Sequence, residues 1–435
     1  MKIPPSNPLV NKFLAASKGT LDSGGKDAPD LLERLISGII FLEKPSSNKI
    51  HNASITGAKK RSFYNHIHAV AQQMPAIFRQ VLANLQKNPK LAMQPGGILI
   101  IDEHIVPHTS KEIEGVDKFY STTERGVILG ISLLAVHYYS ERVEYPADFS
   151  FYRHLRELEG RGDAAEFEKK NELTREFFDR FAAMVGAPSP WVMDAFFMTK
   201  ENAGRLRFLH KTYISRPKRN WKCTYKGKQH HVSEICDAIP SGDFKLTQVV
   251  NPKTRKRKFY HCATIDVSIP RIGKHRLVIV QVGEAPIEGD LLEADPEVLE
   301  APSKKKFRAF CTNCLEWDAS YILSTYSLRW GIETSFQDLN QNLALHGCKW
   351  RELSGQECFL ALAYLCYLFL GWAQAHGELA RYGVKRGTLG QAREAFRSYC
   401  QEQFTEWLAE LKRRCEDCPP ANYIYAHLYG GEGEK

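Results

Sequence analysis

YILSTYSLRWGIETSFQDLNQNL, residues 321–343, is the stretch on which the reading of this chain turns. At 100° per residue, Tyr326, Arg329, Glu333 and Asn340 lie within about 60° of one another on a helix. Leu328, Ile332, Phe336, Leu339 and Leu343 make a second stripe about a quarter-turn away, suited to packing on a sheet. One face anchors the helix and the other presents an arginine and an acid. Taken alone, Arg329 and Glu333 would be an ordinary i, i+4 pair on a solvated surface, stabilising by only about 0.2–0.5 kcal/mol. What the rest of the chain supplies therefore decides the matter.

Working outward, two short apolar runs each stop at an acid: GILIID, ending at Asp102, and PWVMD, ending at Asp194. Strands followed by carboxylates at their C-terminal ends can deliver those carboxylates to one cleft. The run GVILGISLLAVHYY (126–139) reads as a longer strand, residues 153–185 as helical, a helix is expected near 200–210, and KTYIS as a short strand. Residues 1–95 read as helices (LLERLISGIIFLEK, SFYNHIHAVAQQM, PAIFRQVLANLQKN) separated by polar turns. Residues 221–315 carry short alternating runs broken by Pro, Gly and Asn, the pattern of a β-rich insertion. Helices return at 319–345, 355–376 and 386–414 before a polar Gly/Glu tail. The expectation is an α/β protein in five regions: a helical N-terminal DNA-binding region (1–95), a core in two parts (96–220 and 316–376), the β-rich insertion (221–315) and a helical C-terminal region with its tail (377–435).

Composition points the same way. At 435 residues the chain is long enough for more than one domain. It contains no run of about 18 apolar residues and no signal-peptide pattern at its N-terminus, so a cytoplasmic protein without a membrane span is expected. Eleven cysteines scattered among apolar residues read as buried thiols, and the pairs Cys311/Cys314 and Cys415/Cys418 read as packing rather than zinc chelation. The net charge of +9 is unevenly spread: Lys200–Lys258 holds 16 Lys and Arg against 4 acids, whereas Glu284–Glu300 holds seven acids and no base. Dense positive charge at RPKRNWK (216–222) and KTRKRK (253–258) suits phosphate neutralisation with counterion release. Lys59, Lys60 and Arg61, just before a helix, could serve DNA docking in the N-terminal region.

In its signature helix the chain resembles the bacterial insertion-sequence transposases of the DDE type, whose Y-x2-R-x3-E-x6-K signature is matched in register by Tyr326, Arg329 and Glu333. GILIIDEHIVPH, PWVMDAFF and AFCTNCLEWDASYILSTY are similar to that family's other blocks, and the likeness spans residues 96–376. The resemblance implies a ribonuclease-H-like core interrupted by a β-rich insertion, with Asp102, Asp194 and Glu333 as the catalytic triad. They would hold two Mg²⁺ (or Mn²⁺) ions for in-line phosphoryl transfer. It implies cleavage at the terminal repeats of a mobile element and joining of 3′ ends to target DNA, by a homodimer acting on double-stranded DNA. By the same resemblance Tyr326 and Arg329 contact DNA near the scissile phosphate. Lys218, Arg219, Lys222, Arg255, Lys256, Arg257 and Lys258 are expected on the backbone, and Trp221 is the candidate for stacking on an extruded base; Trp330 is expected to pack inside. The signature lysine is Asn340 here, a neutral group where the family has a cationic phosphate contact. The alternatives are a metal-dependent nuclease on the same fold and a transposase-derived DNA-binding protein without catalysis.

Overall fold

The strand expected to end at Asp102 runs on past it. In the computed structural model, which describes residues 2–17, 28–54, 60–121, 124–184, 186–282, 306–348 and 350–414, strand β1 spans Ile98–Pro107. Its first four residues are buried, and those from Asp102 to Ile105 are partly open. The change follows from its neighbours. On one edge β1 pairs antiparallel with β3 (Gly126–Tyr139) along its whole length. On the other it pairs in parallel with β5 (Trp191–Met193), and that partner stops after Ile101↔Met193. Asp102 is therefore mid-strand on one side and at a ladder's end on the other.

The chain divides into two compact units, Gln86–Gln337 and Met1–Leu85 with Asp338–Lys435. In the first, one mixed sheet carries the strand order β2-β3-β1-β5-β6-β12-β11-β10-β7-β8. β2 (Asp117–Ser121) and β4 (Glu144–Tyr152), both unforeseen in the sequence, share the outer edge of β3. β3 is buried from Gly130 to Tyr139, and such a continuous buried run marks a strand covered on both faces. β6 (Tyr213–Ser215) continues the parallel set.

The span expected to be a β-rich insertion holds β7 (Lys222–Tyr225), β8 (Lys228–His231), α9 (Val232–Ala238), β9 (Lys245–Val250), β10 (Arg257–Ile269), β11 (Gly273–Val282) and β12 (Lys306–Thr312). It is not a separate sheet. β12 pairs with β6 through Cys311↔Ser215 and Thr312↔Ile214, so the antiparallel meander β10-β11-β12 extends the central sheet. Cys311 is fully buried on β12, while Cys314 lies beyond the end of that strand. Cys415, Cys418 and the acidic run Glu284–Glu300 lie outside the described residues. Helices α6 (Leu155–Arg161), α7 (Lys170–Ala183) and α8 (Lys200–Phe208) connect the strands, with α7 packed on β3 and β4.

The signature segment is two helices rather than one. α10 (Ala319–Ser327) stops before Leu328, and α11 (Trp330–Leu343) begins after Arg329. Through the junction the backbone bonds tighten to a three-residue spacing: Leu328 N–H to Thr325 O, Arg329 N–H to Tyr326 O, Gly331 N–H to Leu328 O and Ile332 N–H to Arg329 O. The Ser327 hydroxyl donates to Ser324 O, a side-chain bond of the kind that competes with the helical ladder. The apolar stripe nevertheless holds, since Leu328, Ile332, Phe336, Leu339 and Leu343 are all buried.

The second unit is helical. It contains α1 (Pro8–Ser17), α2 (Ala28–Phe41), α3 (Ser47–Ala53), α4 (Lys60–Ala71), α5 (Met74–Leu85), the end of α11, α12 (Leu353–Ala375) and α13 (Leu389–Arg414). α12 is apolar all round and, among the described residues, is the one helix long and apolar enough to cross a membrane; 78% of its most apolar window is buried inside the protein. Helices α1, α2, α4, α5 and α13 pack against it. Phe369 meets Phe13 and Phe396 edge to face at 5.5 and 5.1 Å. Buried Arg393 closes the end of α2 by donating to Ile40 O and Leu42 O at 3.0 and 2.8 Å, a cation at a helix C-terminus.

Candidate active site

Parallel strands keep matched residues on the same face, about 4.8 Å apart. With Ile101 opposite Met193, the next step along each chain brings Asp102 and Asp194 side by side on one face of the sheet. The third acid arrives on α11, which lies on β1: Phe336 stacks on His104 with ring centroids 4.6 Å apart. One turn earlier on the same helix is Glu333. Arg329 joins the set, donating from Nη1 to Asp102 Oδ2 and from Nη2 to Glu333 Oε1, the latter at 2.9 Å.

The two aspartates are held by local backbone. Asp102 Oδ1 accepts the N–H of Glu103 at 2.9 Å. Asp194, just past the end of β5, accepts the N–H groups of Phe196 and Phe197 on Oδ1 at 2.8 and 3.2 Å, while its own carbonyl accepts the Ser215 hydroxyl from β6 at 2.9 Å. Burial raises the Asp102 carboxyl to about 7; Arg329 pulls it down, and the nearby charges of Asp194 and Glu333 push it further up. Burial likewise raises Asp194, against the pull of the Phe197 N–H and Arg329. It raises Glu333 too, again opposed by Arg329. For Arg329 burial acts downward, but the carboxylate of Asp102 and its neighbours outweigh it and the guanidinium is held firmly charged. Three desolvated acids thus face one cation.

Residues 160–369 match the family model described as Transposase DDE domain. The match supports a DDE transposase family for this chain. It takes in Asp194, Arg329 and Glu333, and it begins after Asp102, which joins them through the β1–β5 register. No curated protein matches the chain.

The remaining residues singled out in the sequence are scattered in their surroundings. Tyr326 stands one tightened, three-residue turn before Arg329 and lies close enough to feel the charges of Arg329, Arg216, Asp194 and Asp102. Its ring packs on Phe310 with centroids 4.8 Å apart, beside a cluster formed by Val278, Val280, Ile322 and Leu323. Burial raises its hydroxyl pKa. Asn340 is half-buried two turns beyond Glu333 on α11. Lys218, Arg219, Lys222, Lys256 and Arg257 are exposed. Arg255 is exposed but paired with Glu141 at 3.1 Å, and Lys258 turns its ammonium inward. The two tryptophans exchange expectations: Trp221 is 8% exposed and packs inside, whereas Trp330, expected inside, is 47% exposed beside Arg329. On the N-terminal helices Lys60 and Arg61 open α4 at its exposed end, and Lys59 lies outside the described residues.

Sequence reasoning passed over a second charged pair next to the carboxylates. Lys170, at the start of α7, donates to Glu103 Oε1 at 2.5 Å, and Ser132 Oγ donates to the same oxygen at 2.7 Å. The Lys170 ammonium also lies over the rings of Tyr152, Phe119 and Phe196 at 4.8, 5.6 and 5.6 Å. Phe196 is 45% exposed two residues after Asp194. The adjacency of Glu103 to Asp102 was visible in the sequence; the arrival of Lys170 from 67 residues away was not.

Proposed function

We propose that the protein is a DDE transposase that cleaves DNA at the ends of a mobile element and joins the 3′ ends to target DNA. The observation that carries this reading is the convergence of Asp102, Asp194 and Glu333, two on adjacent parallel strands and one on the helix packed over them, with Asp194 and Glu333 inside the span that matches a transposase domain. The mixed sheet with helices is compatible with a ribonuclease-H-like core, and the β10-β11-β12 meander lies where that reading puts an insertion.

The donor set fits divalent ions. All three groups offer hard carboxylate oxygens, the ligands Mg²⁺ and Mn²⁺ prefer, and burial raises the pKa of every one, the condition a bound dication relieves. Asp102, Asp194 and Glu333 would hold two such ions, which supply activation of a water or 3′-hydroxyl and stabilisation of the leaving oxygen. The chain's own groups do the rest. The Phe196 and Phe197 N–H groups fix the orientation of Asp194. Arg329 provides a planar donor able to grip a phosphate bidentately, and exposed Trp330 lies next to it. Exposed Lys218, Arg219, Lys222, Lys256 and Arg257 provide the sequence-independent attraction to double-stranded DNA. A homodimer working on two DNA ends in the cytoplasm completes the reading, and the enclosure of α12 supports a soluble chain.

Asp194→Ala and Glu333→Ala are each expected to abolish Mg²⁺-dependent cutting of an element-end duplex without loss of folded protein. Undiminished cutting by either variant overturns the triad.

A further inference from the structure

Both carboxylate oxygens of Asp102 already carry a contact. Its Oδ1 belongs to the backbone, accepting the Glu103 N–H at 2.9 Å, and its Oδ2 accepts Nη1 of Arg329. The other arm of the same guanidinium holds Glu333 Oε1 at 2.9 Å. One side chain thus bridges two of the three acids and supplies the positive charge that their burial demands. A dication and a guanidinium cannot share those oxygens without strong mutual repulsion in so poorly solvated a place.

From this arrangement we propose that Arg329 is a resident counter-ion that divalent ions displace, so that ion binding and release of Arg329 toward DNA phosphate are one coupled event. The idea rests on the metal-binding reading above. The local build suits the exchange. Arg329 sits at the tight junction of α10 and α11, where its backbone N–H is bonded to Tyr326 O at 3.0 Å. The backbone can stay in place while the long side chain swings. Lys170 does not take over the role, because it is bound to Glu103 at 2.5 Å and lodged among aromatic rings. Before ions arrive, the acids are partly neutralised and the guanidinium is withheld from DNA. Afterwards the acids are neutralised by the ions, and the guanidinium is free for a phosphate, its other preferred partner. Coupling of this kind is reciprocal, so DNA must also strengthen ion binding.

The test is Mn²⁺ binding to the full chain, without DNA, measured by isothermal titration calorimetry for wild type, Arg329→Met and Arg329→Lys. Removing the competitor should tighten Mn²⁺ binding by about tenfold or more in Arg329→Met, with Arg329→Lys between, since a lysine keeps the charge but not the two-armed grip. In parallel, the affinity for a short fluorescein-labelled DNA duplex is measured by anisotropy in EDTA and in Ca²⁺. Ca²⁺ should strengthen wild-type binding and leave Arg329→Met unchanged. Equal Mn²⁺ affinity in wild type and both variants, or an equal Ca²⁺ effect on DNA binding in wild type and Arg329→Met, refutes the exchange while leaving the metal site standing. If wild type binds no Mn²⁺ at all, the metal-binding reading fails and the exchange fails with it.

Discussion

Replacing Arg329 by Met in the absence of divalent ions should destabilise the sheet-bearing unit through charge rather than through volume. The Asp102, Arg329 and Glu333 side chains are 14%, 19% and 29% exposed, so most of the cost of desolvating them is already met in the folded state. Removing one partner of a buried pair typically costs about 3–5 kcal/mol, because an unpaired charge is left behind. The partial exposure of Glu333 argues for the lower end, about 3 kcal/mol, equivalent to a fall in Tm of about 6–12 °C for a domain of 150–250 residues. The charge origin can be isolated with a double-mutant cycle in EDTA at about pH 9, since burial raises the Asp102 carboxyl to about 7 with Arg329 beside it and loss of Arg329 raises it further. Asp102→Asn removes the charge that Arg329→Met would strand. Urea unfolding of wild type, both single variants and the double variant should therefore show a favourable coupling of about 1.5–3 kcal/mol, with Arg329→Met costing much less in the Asp102→Asn background. Free energies that add to within about 0.5 kcal/mol would refute the reasoning and reduce the Arg329 contacts to surface pairing.

Two further outcomes are expected. Asp117 accepts from Arg156 at 2.5 and 2.7 Å and pairs with His154 Nδ1 at 2.6 Å; burial opposes ionisation, but these partners win and lower its pKa to about 2. A lowered acid contributes stability above its unfolded value, lost as pH falls through the folded one, so wild-type Tm should drop between about pH 4 and 2 more steeply than that of Asp117→Asn. A parallel decline in the two proteins would contradict this assignment. On the insertion, Arg257→Gln should weaken duplex binding and lower the slope of log affinity against log salt by about one. Arg255→Gln should change it less, because Arg255 is already paired with Glu141; equal slopes for the two variants would show that the pairing does not matter.

The sequence determined what depends on local period and on chemistry. The strand at 126–139, the buried stripe from Leu328 to Leu343, the exposed lysines and arginines near 218–222 and 256–257, and the acids themselves were legible because side-chain periodicity and residue type are properties of a few neighbouring residues. The tertiary structure decided what depends on pairing. That Asp102 lies beside Asp194 follows from the parallel register of β1 and β5, two segments about 90 residues apart whose alignment no local pattern encodes. That β1 continues to Pro107 follows from β3, and the union of the insertion with the central sheet follows from two residue pairs between β12 and β6. The break at Arg329 divides the signature segment into two helices, although the amphipathic pattern reads smoothly across it, because a few tightened backbone bonds leave little trace in the sequence. Trp221 and Trp330 make the same point in side chains. Period assigns a face to a residue, but what covers that face is settled only when distant segments meet.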